Sequence, residues 1–501
     1  MYTILLSTLL LCGSASPAVA ASTLPASPTA RSEAAALAAA LDTVDPDHLE
    51  ADIHFIASDE LAGRDTPSAG LRVAARFLRS RLQRLEWEPG AEDGYFHTYP
   101  LDENKLDEEA SHLSLQRDEN ELLLVAGKDY LLRSLLDLGD LDVEGEVVYV
   151  GSGTEEEFGS VELEGRWAMC TEGEEHPRVM RNRARTAGAV GLLMAEAEDA
   201  EPFEDRYGGV WASLTRGRAR FPGKERRERE VYPLVLLTRS GFGRLVDFAQ
   251  LGEPRLPGVR IDPGTALGVR AREVRRRAEP LMVENVCGYW PGSDPELARE
   301  VILISAHYDH IGASDGEIYN GADDNGSGTC GLLALAEALV QYGPMRRSVM
   351  LVWVSGEEKG LWGSRAWVTS GGWLPETEHG PSRAIANINI DMIGRNAPDE
   401  LLVTPTEKRP SDYNGIVRRI EELAPEEGFT KLGSADPYYH RSDQAEFAKL
   451  GIPVTFLFAD VHEDYHRPGD TADKLDYDKI RRVVRLVLRT LDAMQEDELD
   501  L

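Results

Sequence analysis

The chain has 501 residues with a formal net charge of −33, and 42% of them are hydrophobic and 7% aromatic. That length and apolar content suffice for a large buried core and predict two or three domains. The acidic balance repels nucleic acid and anionic lipid, and the arginine-bearing runs 216–230 and 272–280, short or interleaved with acids, read as solvated loops that do not offset it.

Residues 1–20, MYTILLSTLLLCGSASPAVA, combine a short apolar run with Ala18-Val19-Ala20, the A-x-A pattern of a cleaved signal peptide, although no Lys or Arg precedes the run. Export to a periplasmic or extracellular space is expected, with no membrane insertion after the signal is removed, because no later apolar run is long enough to span a bilayer. Cys12 offers a lipid-anchored alternative, which Leu11 disfavours where a small residue would be needed. Cys170, Cys287 and Cys330, far apart in sequence, match neither a disulfide framework nor a zinc ribbon and read as buried thiols. Residues 21–45, rich in Ala, Ser and Pro, predict a flexible lead-in, with order starting near Pro46.

Leu71, Ala74, Ala75, Leu78, Leu82 and Leu85 recur at helical spacing, and Pro89-Gly90 ends that pattern. From 121 to 275 short β-rich runs (EVVYV, RWAMC, GAVGLLM, VYPLVLL) surround one helical stretch at 178–187, which predicts an inserted β-rich module. From 276 to 501 buried strands and helices alternate: VILISAH, TCGLLALAEALV, SVMLVWVSG, AIANINIDMIG, IPVTFLF and a closing helix over 479–494. The fold class is therefore α/β, a mixed and mostly parallel sheet covered by helices on both faces, with residues 46–120 as its first part.

Polar residues gather where those strands end: Tyr308 and Asp309 after VILISAH, Glu357 and Glu358 after SVMLVWVSG, Asp391 after NINI, and His466 soon after IPVTFLF. Sites in open α/β sheets form beyond the carboxyl ends of strands, so these positions are candidates to converge. Imidazoles and carboxylates without cysteine suit zinc in an open, catalytic coordination sphere.

The motifs HYDHIG, GADDNGSG, SGEEKG, NINIDMIG and DYHRPGDT resemble, in that order, the ligand motifs of the M28 family of dizinc aminopeptidases. The resemblance covers 284–478 and extends more weakly to HFIASDELAGRDTPSAG (54–70), and the middle module looks like the protease-associated (PA) domain many members carry. It implies two zinc ions per chain: His307 and Asp391 on one, Glu358 and His466 on the other, and Asp324 bridging them. Of the adjacent acids Asp323 and Asp324 only one can point inward, and the residues alone leave open which. The resemblance further implies that Asp309 accepts the ring N–H of His307 and fixes its tautomer, and that Glu357 is the general base for a zinc-activated water. Glu357 and Glu358 stand at a strand end, where successive side chains diverge, so one can be a ligand and the other a base. His440, Ser442 and Asp443, in YYHRSDQAEF, resemble a segment lining the family's substrate pocket.

Competing motifs read less well. HEDYH (462–466) matches H-E-x-x-H but is cut off by Pro468-Gly469, so a loop is expected rather than a zinc helix based on Glu463. GSGTCG (326–331) lacks a preceding buried strand, and its neighbouring acids would repel a pyrophosphate. Cys330 opens an apolar helix, where a small buried residue is expected rather than a nucleophile, and the other nine histidines, His310 and His462 among them, read as surface or loop residues. The expected activity is removal of amino-terminal residues from peptides with a free amino terminus. The alternatives are a carboxypeptidase or related zinc hydrolase, an amino-terminal glutaminyl cyclase, or a non-catalytic binding protein built on the middle domain.

Overall fold

The structure is a computed structural model that describes residues 33–132, 141–172, 175–197, 200–223, 232–249, 267–277, 279–314, 316–377 and 380–501. The expected signal peptide, Cys12 and residues 21–32 of the expected lead-in lie outside the described residues.

Eight strands carry the larger, 11-stranded sheet: β1 (Phe96–Leu106), β2 (Leu281–Trp290), β3 (Glu300–His307), β4 (Ser348–Val354), β5 (Arg383–Ile390), β6 (Glu400–Thr404), β7 (Lys431–Ser434) and β8 (Val454–Phe458). Their spatial order is β1-β2-β4-β3-β5-β8-β6-β7. The four central strands, β4-β3-β5-β8, run parallel, and antiparallel pairs flank them. The chain leaves β3 for β4 on one side and then crosses to β5 on the other. That reversal opens a crevice beyond the carboxyl ends of these strands.

These strands are continuous apolar runs because both faces are covered. In β3 and β4 the side chains alternate between two cores: Ile302, Ile304, Val349, Leu351 and Trp353 belong to one, and Val301, Leu303, Met350, Val352 and Val354 to the other. The first face carries α1 (Glu33–Leu41), α2 (Pro46–Ile56), α3 (Ala69–Arg84), α4 (Gly328–Tyr342) and α5 (Tyr477–Ala493). The second is closed by Trp367, Tyr439 and Phe447. In α5, Ile480, Val483, Val484, Val487, Leu488 and Leu491 form the buried stripe, and the Asp476 side chain caps the helix by accepting from the Lys479 amide.

The lead-in departs from expectation. Order begins by Glu33 rather than near Pro46, because α1 docks on α4 and buries Ala40 and Leu41. The Ala-rich stretch that reads as flexible by composition is an apolar helix with a partner.

The middle module also differs. Its eight-stranded sheet starts with His112–Arg117, so the boundary expected at 121 falls within a hairpin. Four strands, Leu141–Tyr149, Trp167–Thr171, Gly191–Ala195 and Leu234–Leu237, pair in parallel. Helices Glu155–Gly159, Pro177–Thr186, Phe203–Arg216 and Arg239–Ala249 accompany them, where one helical stretch was expected. The physical reason is the same as in the larger sheet: the strands at 167–171, 191–195 and 234–237 are buried on both faces, which requires helical cover. Cys170, Cys287 and Cys330 are buried free thiols.

Leu41→Ala is expected to destabilise the larger unit by about 2–4 kcal/mol through the cavity it leaves between α1 and α4. Urea unfolding followed by tryptophan fluorescence measures it, and an unchanged midpoint would mean that α1 contributes nothing.

Candidate metal centre

The residues at the carboxyl ends of β3, β4 and β5 meet in one buried cluster. His307 ends β3, and its Nε2 lies 3.2 Å from Asp391 Oδ1, just past β5, and 3.4 Å from Asp324 Oδ1. The other Asp324 oxygen, Oδ2, is 3.2 Å from His466 Nε2, which in turn is 3.2 Å from Glu358 Oε2. Asp324 thus stands between two donor groups, His307–Asp324–Asp391 and His310–Asp324–Glu358, with His466 beside the second.

Local backbone chemistry separates Asp324 from Asp323. Asp470 accepts hydrogen bonds from both amides of the pair, which fixes the turn. Asp323 then points away from the cluster: its Oδ1 accepts from the Gly394 amide at 2.7 Å and its Oδ2 faces His462 Nε2 at 3.4 Å. The histidines of HEDYH are divided in the same way, His462 to Asp323 and His466 to Asp324, on an irregular segment without a helix. They do not address a common ion, which removes the H-E-x-x-H reading.

Glu357 and Glu358 do not lie on the strand. β4 ends at Val354, and the pair sits in a turn entered through Gly356 at φ +69, where a side chain would also press on Trp362. The divergence of the two glutamates is therefore a property of the turn. Glu358 faces His310 and His466, whereas Glu357 belongs to neither donor group.

Asp309 holds that turn. Its Oδ1 accepts from the Glu357 amide at 3.1 Å and its Oδ2 from the Thr66 hydroxyl, which itself accepts from the Gly356 amide. The expected contact to His307 is made differently: His307 Nδ1 is 3.2 Å from the Asp309 main-chain carbonyl and 3.7 Å from its carboxylate, beyond hydrogen-bonding distance.

Ser442 and Asp443 are buried behind the cluster and do not line an open pocket. The Ser442 hydroxyl donates to Asp391 Oδ2 at 2.8 Å and accepts from Asn389, which accepts from Ser305. Those contacts explain the N-I-N-I alternation of β5: Ile388 and Ile390 enter the apolar core while Asn389 enters a polar network behind Asp391. Asp443 accepts from Ser364 at 2.6 Å. His440 is exposed and stacks edge-on against Tyr439.

Sequence reasoning missed three residues. His310, read as a loop residue, is fully buried with its Nδ1 2.9 Å from Glu358 Oε1. Arg64 is fully buried and donates to the carbonyls of Ile56, Tyr308, Asn320 and Gly321, and Thr66 joins Asp309 to the glutamate turn. The signal for the latter two was the weak likeness of residues 54–70, which carries no periodicity of its own.

The electrostatics follow from packing acids in a dry site. Burial above all pushes the Glu357 carboxyl well above the usual range, and Asp443, Glu358 and Asp391 add to it against His307. Burial likewise raises Asp391, despite His307, and brings Asp443 to about 7. Asp324 is held below its usual value because His307 and His466 outweigh its burial. Burial works against a proton on His466, yet Asp324 and Glu358 push its pKa up to about 10. Such an excess of buried acid calls for cationic compensation. The donors are imidazole nitrogens and carboxylate oxygens, with both ring nitrogens of His310 and Glu358 Oε1 buried and without hydrogen bonds. That set fits zinc. His466, with 37% of its side chain exposed against 10% or less for His307, Asp324, Glu358 and Asp391, marks the open side.

The description of Peptidase family M28 matches residues 285–491. A probable leucine aminopeptidase of Arthroderma otae is 27% identical over 204 residues, 39% of this chain and 54% of that protein. Aminopeptidase YwaD of Bacillus subtilis is 28% identical over 196 residues, 38% of this chain and 40% of its own length. The match thus spans about half, or less, of the length of these two relatives. Among solved structures, the aminopeptidase from Aneurinibacillus sp. strain AM-1 covers 91% of this chain and 95% of its own, at 19% identity and a TM-score of 0.48. The match to Peptidase family M28 thus lies over residues 285–491, which hold every member of both donor groups.

Proposed function

We propose that the chain is an exported dizinc aminopeptidase that removes amino-terminal residues from peptides. The observation that carries this reading is the Asp324 carboxylate, whose two oxygens face His307 on one side and His466 on the other, with Glu357 nearby in neither donor group. His307, Asp324 and Asp391 would hold one zinc, and Asp324, Glu358 and His466 the other. Bound there, the pair would supply Lewis-acid polarisation of the scissile carbonyl and lower the pKa of the attacking water.

The chain's own residues do the rest. Glu357 takes the water proton on its carboxylate and returns it to the leaving amine. Asp309 and Thr66 keep Glu357 in place by binding the backbone of its turn. Ser442 orients Asp391, and the apolar faces of β3 and β4 exclude water from beneath the site. No helix among the described residues is long and apolar enough to cross a membrane. The eight-stranded unit, inserted between β1 and β2 with cores of its own, supports a PA-like insert.

Glu357→Ala is expected to keep its zinc and lose turnover by roughly 10²–10⁴-fold, whereas Glu358→Ala loses zinc itself. Metal analysis beside hydrolysis of an amino-acid arylamide separates the two, and equal zinc loss in both variants would remove the division of labour. Full zinc loading of the wild type without hydrolysis of any free-amino peptide would overturn the proposal. Ser442→Ala is expected to weaken zinc binding roughly 10–100-fold by freeing Asp391 Oδ2, as measured by competition with a chromophoric chelator.

A further inference from the structure

We propose that His310 is itself a metal ligand, the second imidazole of the Asp324–Glu358 group, so that the two cation positions carry different donor sets. The inference rests on the dizinc reading above. His307, Asp324 and Asp391 would form a position with one nitrogen; His310, His466, Asp324 and Glu358 would form one with two.

Four observations carry it. The His310 ring is fully buried, and neither nitrogen has a hydrogen-bond partner, although a histidine kept for packing alone is normally satisfied through at least one. Its Nδ1 lies 2.9 Å from Glu358 Oε1 and 3.9 Å from Asp324 Oδ2, yet Glu358 Oε1 is also without a hydrogen bond. Nδ1 and Oε1 approach as an ion pair without the geometry of a hydrogen bond, an arrangement in which both can address one point beside them. The His466 ring meets the His310 ring edge-on, with centroids 5.7 Å apart, and addresses the same two carboxylates.

The fold also makes room for this ring. Gly321 packs against it, and a methyl group at that position would collide with the imidazole, quite apart from the strain of φ +59 there. Arg64 fixes both ends of the loop that carries His310: its guanidinium binds the carbonyls of Tyr308, Asn320 and Gly321, and its own carbonyl accepts from the His310 amide. The amino-terminal segment 54–70 thus aims an imidazole, which gives its likeness to the family a physical purpose. A position with four protein donors, two of them imidazoles, completes a tetrahedral zinc set and is expected to hold zinc more tightly than its three-donor neighbour. The two ions should therefore load and leave in order.

The test uses the full chain freed of metal, as wild type, His310→Ala and His310→Gln, titrated with Zn²⁺ against a chromophoric chelator, with thermal unfolding of each metal-free form in parallel. Wild type should show two affinity classes. Both variants should weaken the tighter class by more than the roughly 10–100-fold that loss of a hydrogen bond to a ligand costs, leaving the weaker class and the metal-free Tm unchanged. Affinities within tenfold of wild type in both variants overturn the proposal. So does a metal-free Tm that falls in both variants while both classes weaken together, because that is the signature of a packing role. One cation in the wild type, still weakened by the variants, upholds His310 and overturns the dizinc reading; two cations that the variants do not disturb do the reverse.

Discussion

One carboxylate shared between two imidazole-bearing sides of a buried crevice is the constraint that organises this molecule. Asp324 can face both His307 and His466 only if its neighbour Asp323 is turned away, if the strands bearing His307 and Asp391 are adjacent and parallel, and if the glutamate turn after β4 closes the remaining side. Each condition is met by a specific contact: Asp470 on the amides of the acid pair, the β3–β5 ladder, and Asp309 on the Glu357 amide. Packing five carboxyl groups (Asp324, Glu357, Glu358, Asp391 and Asp443) around three histidines (His307, His310 and His466) is costly in the absence of further positive charge. The sheet and its helices provide the rigid, dry frame that sustains that cost.

Elements far from the crevice serve the same end. Helix α1 and the amino-terminal segment seal one face and one rim: Leu41 packs beneath, while Arg64 and Thr66 reach the loops that carry His310 and Glu357. The inserted unit touches the frame through Phe221, whose ring lies 6.2 Å from that of Tyr99. Tyr99 in turn hydrogen-bonds Ser355, two residues before Glu357. The insert therefore reaches the segment before the glutamate turn through Tyr99 on β1.

The alternation of strands and helices from residue 276 onward was legible because burial on both faces writes itself as continuous apolar runs bounded by turn residues. The insert was less legible. Its parallel strands gave the runs expected of β structure, but Phe203–Arg216 carries Gly208-Gly209 in its interior, and such residues read as a break rather than as a helix. Helix α1 was missed for a related reason: an Ala-rich stretch has the composition of a linker until a partner surface is known.

At the site, the residue types and their order along the chain were determined by the sequence alone: His307, Asp324, Glu357, Glu358, Asp391 and His466 each follow a recognisable run. Orientation was not, because it depends on hydrogen bonds between residues distant in sequence. Only the tertiary structure decided that Asp324 rather than Asp323 faces the cluster, that Ser442 backs Asp391 instead of lining a pocket, and that His310 is buried against Glu358. Periodicity records which face of an element is buried, but it holds no record of which of two neighbouring carboxylates a remote amide will turn inward.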